Sequence, residues 1–135
     1  MHNQHSGIKI LVVEDDPINM DILVEYLTVA GYEVITANDG DVALQKLDQY
    51  YLSISVIILD RMMPRLDGME FLKIIKGDER FNKIPVIMQT AVTSSGRKYE
   101  AIRMGVYRYL SKPYDDDVML DVVKSAIQDA KHNVG

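Results

Sequence analysis

Cysteine is absent from the 135 residues. That excludes disulfides, thiol catalysis and cysteine-ligated zinc. Histidine is scarce and badly placed for chemistry: His2, His5 and His132 all lie near the ends. The body of the chain therefore has no imidazole for a Ser-His-Asp or Cys-His arrangement. Positive charge is also in deficit. Fifteen Lys and Arg stand against twenty Asp and Glu, for a net charge of −5 and a pI of about 5.1. Nucleic acid and anionic membrane surfaces are poor partners for such a chain. No apolar run is long enough to span a bilayer, and the opening Met-His-Asn-Gln-His lacks the apolar stretch of a signal peptide. A cytoplasmic location is expected. Internal repeats and linkers are missing too.

What remains is ordinary for one globular domain with a single core: 47% hydrophobic and 26% charged residues. Residues 1–7 are polar, end in Ser6-Gly7, and read as a flexible tail. Residues 8–131 carry the domain and 132–135 a short C-terminal tail. Ile8 to Val13 is an apolar run that reads as a buried strand. Helical spacing follows at Ile18, Ile22, Leu23, Tyr26, Leu27 and Ala30, with Gly31 as the stop. Tyr32 to Ala37 is a short β-branched strand. Asn38-Asp39-Gly40 opens a second helix, with Ala43, Leu44, Leu47 and Tyr51 on its inner face. Ser55 to Leu59 is a third strand, stopping at Asp60, and Asp67 caps a third helix with Leu72 and Ile75 inside.

Ile84 to Gln89 reads as a fourth strand, with Pro85 tolerable near its start. A weaker fourth helix is predicted over Arg97 to Met104, stopped by Gly105. Val106 to Leu110 is a fifth strand. The last helix opens at Asp115-Asp116-Asp117 and buries Met119, Val122, Val123, Ala126, Ile127 and Ala130. That acidic opening suits a helix N-terminus. Strict strand-helix alternation demands a parallel sheet with helices on both faces: a three-layer, doubly wound (βα)5 fold, for which the flavodoxin-like order 2-1-3-4-5 fits this length.

That order brings the carboxyl ends of strands one, three, four and five to one edge. They carry Glu14 and Asp15, Asp60, Thr90, and Lys112. Asp16 has a structural role as N-cap ahead of Pro17. Glu14 and Asp15 have none, and read either as a solvated turn or as a cation site. Singly, Lys112 is a surface lysine and Thr90 a strand-end cap; as a set they describe a phosphoryl site. Close carboxylates need a cation, and with no thiol or imidazole available Mg²⁺ is the first choice. The Asp60 carboxylate can then act as nucleophile, with the Lys112 ammonium and Thr90 hydroxyl on phosphoryl oxygens.

The stretch Asp60-Arg-Met-Met-Pro-Arg-Leu-Asp-Gly resembles the phosphoacceptor signature of response-regulator receiver domains, and with the strand-end residues the likeness covers residues 8 to 130. The resemblance implies that Asp60 is phosphorylated by a partner histidine kinase or histidine phosphotransfer protein. It implies that Asp15 binds Mg²⁺ directly, Glu14 through water, and Met62 by its backbone carbonyl. Thr90 and Tyr109 become the switch pair, Lys112 the phosphate contact, and Pro113 a proline after a cis bond. Tyr109, outward at rest, would turn inward as Thr90 moves. The surface of helix four, strand five and helix five would then address a downstream protein or a fused output domain. Such a domain catalyses only its own phosphorylation and dephosphorylation. Three departures stand out: Gln89 where an apolar residue is common, Tyr107-Arg108 in place of a small or acidic pair, and a last helix lacking Glu-Leu-Xaa-Ala-Arg. Two alternatives are a degenerate, phosphorylation-independent binding module and an aspartyl phosphatase or phosphomutase. The latter would want a second carboxylate where Met62 stands.

Overall fold

The computed structural model describes residues 7–61, 67–91 and 95–132. Ten elements alternate strictly: β1 (Lys9–Val13), α1 (Pro17–Val29), β2 (Glu33–Ala37), α2 (Gly40–Tyr50), β3 (Ile54–Asp60), α3 (Gly68–Lys76), β4 (Val86–Thr90), α4 (Ser95–Arg103), β5 (Arg108–Ser111) and α5 (Asp116–His132). The strands form one parallel sheet in the order β2-β1-β3-β4-β5. This is the flavodoxin-like (βα)5 architecture that the strand-helix alternation predicts.

The buried strand side chains face one of two cores, because alternate residues point to opposite faces. Leu11, Val13, Ile57, Leu59, Val86 and Met88 pack with α2, α3 and α4 through Ala43, Leu47, Phe71, Leu72, Ile75 and Ala101. Ile10, Val12, Val56, Ile58 and Ile87 pack with α1 and α5 through Leu23, Leu27, Met119, Val123 and Ala126. Burial on both faces is why the strands read as unbroken apolar runs.

Side-chain caps start the helices close to where the sequence puts them. Asp16 accepts from the Ile18 amide at 2.9 Å, Asp39 from Val42 at 2.8 Å, and Asp67 from Met69 at 2.9 Å. The turn after α1 needs a left-handed residue, and Gly31 supplies φ +102° there. Pro85 lies just before β4, where its missing N–H costs nothing while its carbonyl accepts from the Ile57 amide at 3.0 Å.

Five expectations shift. β4 runs from Val86 to Thr90, not from Ile84 to Gln89. Ile18 and Ile22 are 71% and 49% exposed, so the buried stripe of α1 is Leu23 and Leu27. The helix starts at the carboxyl edge of the sheet, where its first turn has no strand beneath it. α4 begins at Ser95, not Arg97. Tyr51 falls one residue past α2 and meets Phe81 edge-to-face, ring centroids 5.7 Å apart. β5 begins at Arg108, although Val106 is buried and the Tyr107 amide donates to the Val86 carbonyl at 2.8 Å.

Candidate functional site

Four strand ends build the site. Glu14 directly follows β1, and its amide donates to the Ala37 carbonyl at 3.0 Å, which holds the turn against β2. Asp60 closes β3, Thr90 closes β4, and Lys112 follows β5 with its amide donating to the Thr90 carbonyl at 2.8 Å. Glu14, Asp60 and Thr90 are buried, while Asp15 and Lys112 are half-buried. One ligand oxygen from each of Glu14, Asp15 and Asp60 lies within 4.8 Å of the others. The Lys112 ammonium reaches Glu14 Oε1 at 3.2 Å and Asp60 Oδ2 at 3.4 Å.

The electrostatics are unbalanced in a useful way. Glu14 is pushed up to about 8 by its burial first and by the Asp60 carboxylate beside it second; the Lys112 ammonium offsets only part of this. Buried carboxylates that crowd one another disfavour ionisation. A hard divalent cation relieves that repulsion, and an all-oxygen donor set suits Mg²⁺. The three carboxylates therefore fit such an ion. Asp16 is occupied elsewhere: it caps α1, accepting from the Ile18 and Asn19 amides.

Glu14, Asp15, Asp60 and Lys112 meet at this edge of the sheet, and the Thr90 backbone lies beside them at the end of β4. Met62, expected to lend its carbonyl to the metal, lies outside the described residues, as do Val92 to Ser94 of the loop before α4. The Lys112–Pro113 peptide is cis, as the resemblance implies. Tyr109 differs from expectation. Its ring is inside, 6% exposed, packed in the core of α2, α3 and α4.

Three residues contribute without having been singled out for it. Gly68 enters the sequence reading only as the last residue of the Asp60-to-Gly68 signature, with no role of its own. In the fold a Cβ there would sit 2.7 Å from Arg61 Cα and 2.8 Å from the Asp60 carbonyl oxygen. Only glycine lets α3 start so close to the end of β3, and its amide donates to the Arg61 carbonyl at 2.8 Å. The signal was available: a glycine directly after an N-cap, where almost any residue would serve. Arg61 is buried beside Asp60 and pairs with Glu100 of α4 at 3.6 Å. Tyr114, two residues beyond Lys112, donates its hydroxyl to Gln89 Oε1.

Fold and site together define a doubly wound parallel α/β domain with a carboxylate cluster and a lysine at the carboxyl edge of its sheet, and comparison with known proteins says to which family it belongs. The sequence profile of the response regulator receiver domain matches residues 10–124. The chain belongs to that family. It is 37% identical over 119 residues to a probable transcriptional regulator of Pyropia yezoensis, covering 88% of this chain and 53% of that protein. The chain spans about half the length of the first curated relatives it matches. Among solved structures it resembles the Vibrio cholerae chemotaxis protein CheY4, with a TM-score of 0.81, 33% identity, and coverage of 88% of this chain and 98% of that one. It also resembles the receiver domain of a Pseudomonas aeruginosa sensor histidine kinase, which has a magnesium ion coordinated in its active-site cleft. The TM-score is 0.82 at 28% identity, with 91% and 99% covered. Among the described residues no helix is long and apolar enough to cross a membrane.

Proposed function

We propose that this chain is a phosphorylation-dependent switch, taking a phosphoryl group on Asp60 from a phosphohistidine of a partner kinase or phosphotransfer protein. One Asp60 carboxylate oxygen attacks phosphorus, the P–N bond to the donor imidazole breaks, and an acyl phosphate forms. Lys112 is within reach of an oxygen of the transferred group, and the Thr90 hydroxyl can donate to another. A Mg²⁺ ion held by Glu14, Asp15 and Asp60, with the Met62 carbonyl, would supply positive charge to the phosphoryl oxygens. Reversal by water returns the carboxylate, so the domain acts only on itself and turns over no metabolite. Signalling would take place in the cytoplasm. Output would pass through the surface of α4, β5 and α5 to a downstream protein or to a further domain.

The observation that carries this reading is the Lys112 ammonium held between Glu14 and Asp60 at the edge of the carboxylate cluster. The test is incubation with acetyl phosphate and Mg²⁺, read by intact mass. Wild type should gain one phosphoryl group and lose it on standing once the acetyl phosphate is removed. Asp60→Asn should gain none; full labelling of that variant would mean another residue is the acceptor.

A further inference from the structure

Gln89 breaks the apolar pattern of the strand it sits on, and its surroundings explain what it does. It lies between Met88 and Thr90 on β4, on the face turned towards α1 and α5, and it is 1% exposed. A buried amide is unfavourable unless hydrogen-bonded. Its Oε1 accepts from the Tyr114 hydroxyl, its Nε2 has no partner among the described residues, and its main-chain carbonyl accepts from the Arg61 amide at 2.9 Å as one bond of the β3–β4 ladder. One residue is thus bonded both to the position after Asp60 and to the segment two residues past Lys112.

That segment needs holding. Lys112 is followed by Pro113, which has no N–H to donate. The Lys112 amide is fixed to Thr90 at one end, and the Tyr114 hydroxyl fixes the other. Beside it lies a cavity of about 270 Å³ lined by Asn19, Leu23, Tyr26, Gln89, Lys112 and Tyr114, so the segment has room to swing. Burial pushes the Tyr114 hydroxyl up to about 12. A lysine stem has four rotatable bonds, so the reach of its ammonium depends on the backbone from which it starts.

We propose that Gln89 is a positioning residue for Lys112, acting through the Tyr114 hydroxyl to hold the ammonium over Asp60. This rests on the phosphoacceptor reading above and adds to it a residue that touches neither phosphoryl group nor metal. A purely structural role makes the opposite forecast, since Gln89→Leu would fill an apolar layer and leave the site alone.

The test measures beryllofluoride affinity with saturating Mg²⁺ by calorimetry in the intact chain. Gln89→Leu and Tyr114→Phe should each weaken binding roughly three- to tenfold, the equivalent of one hydrogen bond, and the double variant should lose no more than either single one. In a Lys112→Ala background Gln89→Leu should change nothing. The Lys112 side-chain NMR resonances should move in both single variants. Tyr114→Phe removes one hydroxyl only and serves if Gln89→Leu fails to fold. Unchanged affinity in both single variants, or an equal loss without Lys112, overturns the proposal. If Asp60→Asn and Lys112→Ala themselves bind beryllofluoride normally, the phosphoacceptor reading fails first, and this one with it.

Discussion

At the scale of single residues, Glu14 and Asp15 carry different burdens. The Glu14 carboxyl titrates near 8 in the folded protein against 4.5 for the free group, because burial and Asp60 disfavour its charge. A folded-state value raised above the unfolded one means that the folded chain binds the proton more tightly. Ionising Glu14 therefore costs folded stability. The cost is absent below pH 4.5, grows as pH rises to about 8, and is complete above that. Mg²⁺ binding should displace the proton, so its affinity should climb with pH up to about 8 and then level. Calorimetry in buffers of different ionisation enthalpy would detect the released proton. Glu14→Gln should abolish both the release and the slope; a slope that survives would place the titrating group elsewhere. Asp15→Asn should weaken the metal far more than Asp16→Asn, since Asn caps a helix about as well as Asp. Gly68→Ala drives a methyl into the Arg61 backbone and should cost about 1–3 kcal/mol in chemical denaturation, the usual penalty of overpacking.

At the scale of elements, the strands were legible because a parallel sheet buried on both faces leaves runs such as Val56 to Leu59 stopped by a carboxylate at the sheet edge. The caps Asp16 and Asp67 were legible because capping is local chemistry. The inner face of α1 was less so. Ile18 and Ile22 share the helical period with Leu23 and Leu27, and period alone does not say which part of an apolar stripe has a sheet under it. The Gln89–Tyr114 bond was hidden for a different reason: it joins residues on β4 and beyond β5, and no local pattern encodes it. The distinction within α1 is measurable. Leu23→Ala and Leu27→Ala should each cost about 2–5 kcal/mol, whereas Ile18→Ser should stay within about 0.5 kcal/mol. A large loss at Ile18 would mean that the first turn of α1 is covered.

For the whole molecule the question is how charge at Asp60 reaches the far face of the sheet, and Tyr109 is the residue to watch. Its ring is inside, yet its hydroxyl has no hydrogen-bond partner among the described residues. Burying an aromatic side chain gains roughly 1.5–3 kcal/mol, and an unsatisfied buried hydroxyl costs about 1–3 kcal/mol. The two terms oppose each other and are of the same order, and a bias at Thr90 is expected to act on that balance. A phosphoryl group adds roughly −1.5 to −2 charge and strong acceptor oxygens. Drawing the Thr90 hydroxyl towards it fixes the side chain at the end of β4, whose Met88 lies in register with Tyr109 on β5. Tyr109→Phe deletes the unsatisfied hydroxyl while keeping the ring. It should therefore hold the ring inside with or without beryllofluoride and Mg²⁺, and raise folded stability. In wild type the ring resonances should shift on beryllofluoride addition, and in Thr90→Ala that shift should shrink or vanish. Equal shifts in wild type and Thr90→Ala would show that the coupling bypasses Thr90. The remaining route from the site to α4 would then be the buried Arg61, whose guanidinium already joins the end of β3 to Glu100.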